Sequence, residues 1–336
     1  MLSAEFESSL AIVVDLFTQD AADVDGATVV PVSHFDALAE LGLYGVFAPV
    51  ELGGIGFGIT ELSEIVESLA AGCLATTFVW IQHFRLLAAM LDPNTPEPLR
   101  ADLPNVVRGA TRGGVALTGL MPGPARLSAA PVGGGWALNG YAPWVSGWGL
   151  TDTVVVTARG PEDTVVTCLL PASEQAGLSV RRWELSALNA SATVRLDFTD
   201  LLIGEDVVVG RAPFDPGGER PEGLRVNGSL ALGLARRCCE LLGPSLLDEE
   251  LQDRRTALDH ADGTSMSGAR AAASELAVRA AHALAVHRGS SSVLVGDVAE
   301  RCQREAALLL TFGSRPAIRS ALRGSLGASE TRVDGD

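Results

Sequence analysis

Lysine is missing from this chain: all 25 basic residues are arginine, set against 41 Asp and Glu. That removes lysine Schiff-base chemistry. The resulting formal charge of −16 repels a polyphosphate backbone, so nucleic acid is excluded as a partner class. Cysteine is sparse, at positions 73, 168, 238, 239 and 302, with no C-x-x-C spacing. Such usage argues against a zinc site or a disulfide scaffold, predicts no metal, and fits a reducing cytoplasm. No uninterrupted apolar run reaches the roughly eighteen residues that crossing a bilayer needs, so no membrane span is expected. The N-terminal stretch carries Glu5, Glu7 and Asp15 and no basic segment, unlike a secretory signal.

What is present is apolar content of 47% in 336 residues, enough for two or three packed domains. Residues 2–21 place Leu10, Val13, Val14 and Phe17 at helical spacing, and His34–Leu43 repeats the pattern. Glu51–Gly58 is a glycine-rich loop with neither a following Lys-Ser/Thr nor a preceding strand, so it is not a phosphate cradle. Thr60 predicts the N-cap of a helix over Glu61–Ala71, followed by an apolar helix over Thr76–Leu91 and a short one over Leu99–Val107. From Gly113 the character changes to β-branched runs at 113–118, 126–132, 135–139, 151–159, 163–170, 177–184 and 192–199. A Gly/Pro linker follows at Pro213–Pro221, then helical patterns over 225–242, 245–261, 265–288, 297–312 and 316–326. The expected architecture is α+β: an N-terminal helical domain (1–112), a central β-barrel or sandwich (113–211) and a C-terminal helical bundle (222–327).

One stretch organises the functional reading, Leu138–Gly149. Asn139-Gly140 has the signature of a tight hairpin turn. Beyond it stand the indole of Trp144 and the hydroxyl of Ser146, with glycines on both sides. An indole covers the face of a flat ring, and a hydroxyl two residues on reaches a ring nitrogen. A core aromatic and a turn hydroxyl remain the other reading of the same residues.

Helical domain, β-domain and helical bundle in that order resemble the acyl-CoA dehydrogenases, and local segments agree. Leu38–Leu43 followed by Pro49–Gly56, Leu103-Pro104 through Gly109 with Val115–Thr118, Leu138–Gly140 with Trp144–Ser146 and Val154–Arg159, and Ser191 through Asp200 each resemble that family's segments in sequence order. The resemblance implies FAD, with Leu117 and Thr118 at the pyrimidine side of the flavin, Trp144 and Val145 over one face, and Ser146 in the place of a threonine that bonds N5. It implies α,β-dehydrogenation of an acyl-CoA or acyl-carrier thioester, a homo- or hetero-oligomer, and an electron-acceptor protein as partner. A flavin-dependent oxygenase on the same fold, or a catalytically degenerate subunit pairing with an active paralogue, are the alternatives.

Several family features have no counterpart. Thr118–Ala125 lacks the acid and hydroxyl expected near the pyrophosphate, and Leu246–Glu250 is acidic where the family carries Arg-x-x-Phe-Gly; Arg254 and Arg255 stand just downstream. The segment bearing the usual catalytic glutamate is not found, which reads as a shortened C-terminus. Some family members place the base at the start of the first bundle helix, which points to Glu222. His83 is a candidate lining residue of the acyl cavity, with a satisfied core histidine as the other reading. Glu240 is expected to face solvent or a neighbouring helix.

Overall fold

The computed structural model describes residues 2–216, 221–313 and 315–328. Ser3 caps α1 (Ala4–Gly26) by accepting from the Phe6 N–H at 3.2 Å. The helix buries Leu10, Val13, Phe17, Ala21 and Val24, the stripe of an amphipathic helix. α2 (Val32–Glu40) buries His34, Phe35 and Leu38. α3 (Ile59–Gly72) starts from Gly58, which is still extended. Thr60, expected as the cap, therefore lies inside the first turn.

The helix expected over Thr76–Leu91 is two, α4 (Leu74–Trp80) and α5 (His83–Leu91). At the joint the backbone tightens to i→i−3 bonds, Gln82 to Val79 and Phe84 to Ile81. The 18 residues Leu74–Leu91 have the length and apolarity of a membrane span, but they are broken at this joint and mostly buried in the protein. The short helices α6 (Glu97–Arg100) and α7 (Leu103–Arg108) each carry proline in their first turn.

Among the described residues eight strands form one mixed sheet: β1 (Gly113–Ala116), β2 (Leu127–Val132), β3 (Gly135–Val145), β4 (Thr153–Arg159), β5 (Thr164–Pro171), β6 (Leu178–Arg182), β7 (Val194–Gly204) and β8 (Val208–Pro213). Their order is β6-β7-β3-β2-β4-β5-β8, with β1 parallel to β4. Leu178 of one edge strand and Val208 of the other belong to the same apolar core, so the sheet rolls around its own interior. β8 lies in a stretch that the sequence pattern leaves unassigned, and it pairs with β5.

Asn139-Gly140 is not a turn. The hairpin turns at Gly133-Gly134, both at positive φ, and β3 runs straight through Asn139. Asn139 exchanges two bonds with Asp200, its amide donating to the carboxylate and its carbonyl accepting from the Asp200 N–H, both at 2.9 Å. Gly140 adopts φ +122, and a methyl group there would sit 2.1 Å from the Arg126 carbonyl oxygen. The dipeptide's tolerance of unusual φ is used inside a strand, at a register slip against β7.

The bundle comprises α8 (Pro221–Leu242), α9 (Leu246–Asp259), α10 (Met266–Arg288), α11 (Val298–Thr311) and α12 (Pro316–Ser325). Ser245 and Asp248 form a capping box on α9, and Asp297 caps α11 through the Ala299 N–H at 2.8 Å. Phe17 and Ile65 of the first helices share one core with Leu230, Leu276 and Leu309 of the bundle. Two helical regions far apart in sequence thus close on each other, leaving the sheet a core of its own. Part of the expected linker, 217–220, and the tail from 329 lie outside the described residues.

Gly140→Ala is expected to cost about 2–4 kcal/mol, because it adds both a clash and a strained φ. Asn139→Ala is expected to cost about 1–2 kcal/mol for its two bonds. Urea unfolding measures both, and an unchanged midpoint for Gly140→Ala would remove the geometric requirement.

Candidate functional site

The site begins with a break in alternation. Along β3 Ala142 faces the sheet core, and a regular pleat would turn Trp144 inward as well. Between Ala142 and Val145 the strand carries one residue more than β7 opposite it. Pro143, which has no N–H for the ladder, precedes the break, and Trp144 takes the left-handed φ of 64°. The extra step throws Trp144 outward, 61% exposed, and returns Val145 to the core at 1%. Ser146 follows, buried at the strand's end.

A second segment meets this one from β7. Ser191, Ala192 and Thr193 sit between Leu188 and β7, where Leu188 and Ala192 both hold left-handed φ values, 56° and 49°. The Gly147 N–H donates to the Ser191 carbonyl at 2.7 Å, and the Trp183 N–H to the Thr193 carbonyl at 3.0 Å. Ser146 Oγ stands 2.8 Å from Thr193 Oγ1, which stands 2.7 Å from Ser191 Oγ. The Trp183 ring stacks on Trp144, centroids 5.6 Å apart and planes 26° apart. Its Nε1–H is buried with no hydrogen-bond partner.

Trp144, Val145 and Ser146 therefore form one unit, and the fold adds Trp183, Ser191 and Thr193. Composition does not mark these three. The available signals were that Ser191 and Thr193 lie two apart at the start of a strand run and within the family-like segment Ser191–Asp200.

Leu117 and Thr118 lie just past β1, which runs along β4 and against β3. Thr118 opens a one-turn helix pinned to β4: the Gly119 N–H donates to Thr157 Oγ1 at 3.1 Å, and Arg159 donates to the Gly119 carbonyl. A Cβ on Gly119 would meet the backbone of Thr157 and Ala158 at 2.7 Å, so this approach requires glycine. Thr118 is buried and Leu117 half-buried.

His83, expected either to line the acyl cavity or to be a satisfied core histidine, is buried between α5 and β1. It is 1% exposed, and its Nδ1 accepts the Gly113 N–H at 3.1 Å, fastening α5 to the first residue of β1. That bond leaves the proton on Nε2. The ring meets Tyr44 edge to face at 4.7 Å. Burial, with a smaller push from the Arg112 cation, drives its pKa down to about 3, against the pull of the Val106 and Tyr44 carbonyls. It borders a small hollow with Tyr44, Trp80 and Arg112.

The remaining charged candidates are also accounted for. Glu222 lies in the first turn of α8, as expected, and is exposed. Glu240 pairs with Arg236 at 2.9 Å on the surface. Arg254 pairs with Glu250 at 2.7 Å, and Arg255 grips Glu67 of α3. Both arginines are engaged in ion pairs. Glu305 is the carboxylate driven toward neutrality, up to about 7, by burial and despite Arg301. It borders a separate cleft with Asp25, Cys73, Arg237 and Arg301.

The donor set at Trp144 fits a heteroaromatic ring. An exposed indole offers a face, the row of hydroxyls can donate or accept, and the indole Nε1–H of Trp183 lacks an acceptor.

Residues 10–110 match the family described as acyl-CoA dehydrogenase, N-terminal domain. An L-evernosamine nitrososynthase of Micromonospora is 30% identical over 217 residues, 61% of this chain and 51% of that one. The mitochondrial short-chain specific acyl-CoA dehydrogenase of Rattus norvegicus is 26% identical over 199 residues, 56% of this chain and 48% of that one. The chain thus spans about half the length of the curated relatives it matches. The dibenzothiophene monooxygenase of Paenibacillus sp. A11-2 shares the fold, with a TM-score of 0.78, 18% identity, and coverage of 97% of this chain and 98% of that one.

The buried His83 sets a pH dependence. Its pKa of about 3 in the fold lies below the ordinary value near 6.5, so the unfolded chain binds the proton more readily between the two. The neutral ring's contribution is complete above about pH 6.5 and is lost as pH falls toward 3. Between pH 6.5 and 4 wild type is expected to lose about 3 kcal/mol that His83→Gln does not. Denaturant melts of both proteins across that range measure it, and parallel curves would refute it.

Proposed function

We propose that this chain, which belongs at low identity to the acyl-CoA dehydrogenase family, is a flavin-dependent oxidoreductase that holds its flavin ring where β3 ends. The observation that carries the reading is the bulge at Trp144, which spends a left-handed residue and a register slip to expose an indole beside a buried hydroxyl. Backbone strain of this kind clusters at functional positions. In this reading Trp144 covers the ring and Val145 supports it. Ser146 meets the ring nitrogen N5, while Leu117 and Thr118 border the pyrimidine side. When bound, the flavin supplies a hydride acceptor and, once reduced, reactivity toward oxygen.

For the reaction, α,β-dehydrogenation of an acyl-CoA or acyl-carrier thioester follows from the family, with an electron-acceptor protein as partner. That reaction needs a carboxylate to take the α-proton. Glu222, proposed for this role, is exposed, and a solvated carboxylate is a poor base toward carbon. Its exposure favours the second reading, a flavin-dependent oxygenase, which needs no such base. The nitrososynthase similarity supports the same reading. FAD is the proposed flavin and FMN its alternative, since the arginines nearest the expected diphosphate position are engaged in ion pairs. A reducing cytoplasm is the proposed compartment, from the sparse cysteines without C-x-x-C spacing.

Purified protein is expected to be yellow or to take up FAD or FMN, and Trp144→Ala to weaken flavin binding about tenfold. Anaerobic bleaching by an acyl-CoA supports dehydrogenation. Bleaching only by NAD(P)H or a reductase, followed by oxygen uptake, supports the oxygenase. Colourless protein that takes up neither flavin refutes both and leaves the degenerate subunit.

A further inference from the structure

A second constellation lies away from the sheet, where α1, α2 and α4 meet. His34 Nε2 stands 3.0 Å from a carboxylate oxygen of Asp20, and its Nδ1 stands 2.8 Å from the Thr76 hydroxyl. Thr76 Oγ1 in turn lies 3.3 Å from Cys73 Sγ. His34, Thr76 and Cys73 are buried, Phe17 stacks on the imidazole, and Asp20 is the member at the surface. Two proton arrangements satisfy this row. In the first, the thiol donates to Thr76 and Thr76 to His34. In the second, His34 donates to Thr76 and Thr76 to a thiolate. In both, the His34 Nε2–H donates to the Asp20 carboxylate, so passing the thiol proton to His34 strands no donor.

The sulfur end of the row borders the cleft that holds Glu305, Arg301 and Arg237. Glu305 is 8% exposed and makes no hydrogen bond among the described residues, and its ion pair with Arg301 is long, at 4.0 Å. A buried carboxyl left so loosely paired beside open space points to a small polar occupant. The cleft has room for about one water-sized molecule. Hydrogen peroxide, two oxygen atoms long, enters where a larger electrophile does not.

We propose that Cys73 is a peroxide-reactive thiol, with Thr76, His34 and Asp20 taking its proton as the sulfur attacks hydrogen peroxide held in this cleft. The S–O bond forms as the O–O bond breaks, so sulfur gives up two electrons and the products are a sulfenic acid and water. The thiol proton passes through Thr76 to His34, whose new charge Asp20 offsets. The leaving hydroxide takes the Glu305 proton, and His34 returns its own through solvent. This chemistry goes beyond the flavin reading and does not depend on it.

Burial pushes the Cys73 thiol up, opposed by Thr76 and Arg301 and reinforced by Glu305. The sulfur therefore rests as a thiol and needs a base at the moment of attack. Glu305, raised to about 7 by burial, carries the proton that the leaving hydroxide requires. Cys168 is the internal control: it is buried in the sheet core, away from this cleft, and burial alone pushes it up to about 12.

The test exposes the full chain to hydrogen peroxide, removes the excess with catalase and unfolds the protein in dimedone. Peptide mass spectrometry then follows oxidation of each cysteine. Cys73 is expected to react at least about tenfold faster than Cys168. Thr76→Val is expected to slow Cys73 about a hundredfold and Thr76→Ser to restore it, while Asp20→Asn slows it about tenfold. Circular dichroism checks each fold, and Asp20→Asn, at the surface end, carries the test if Thr76→Val does not fold. Oxidation of Cys73 no faster than Cys168, oxidation of Cys302 in its place, an unchanged rate in either folded variant, or failure of Thr76→Ser to restore overturns the assignment.

Discussion

Two register slips between β3 and β7 govern the shape of this molecule's functional face. The first puts an extra residue on β7, where Asp200 takes φ 47°; the second puts one on β3, at Trp144. Because the slips are opposite, they cancel, and Val145↔Val194 regains the register of Leu138↔Leu201. Between them the strand runs one residue out of step. The second slip turns an indole outward without surrendering the core beyond it. A lone bulge would have turned every later side chain of β3 to the wrong face.

The same slip lets Ser146 reach Thr193. Their bond joins the strand end to the tight turn at Ser191, itself held between two left-handed residues. That turn also touches the helices, since the Val30 N–H donates to the Ala190 carbonyl and Leu188 packs in the helical core. Sheet, turn and bundle are therefore mechanically continuous behind Trp144. A site supported in this way is rigid before any ligand arrives, which lowers the entropic cost of binding.

The arginine-only cation set has a structural counterpart. Arg225 meets Asp259, Arg304 meets Asp25, and Arg255 meets Glu67, each pair joining elements distant in the chain. A planar guanidinium suits such two-pronged contacts better than an ammonium does. The consequence is that these three cations serve the fold.

Sequence alone determined the succession of helices, strands and helices, because 3.6- and 2-residue periodicities are local properties of the chain. It also placed Trp144, Val145 and Ser146 in one unit, since they are adjacent. It misread Asn139-Gly140 because a positive φ serves a turn and a bulge equally well, and only the partner strand decides between them. It split no helix at Ile81–Gln82, since no breaker stands there. Trp183 and Thr193, some forty residues away, joined the site only through the pairing of β6, β7 and β3. His83 became a fastener for the same reason: its role depends on the Gly113 N–H, thirty residues later. Which side chains share a site depends on long-range strand and helix contacts, and no local pattern encodes those.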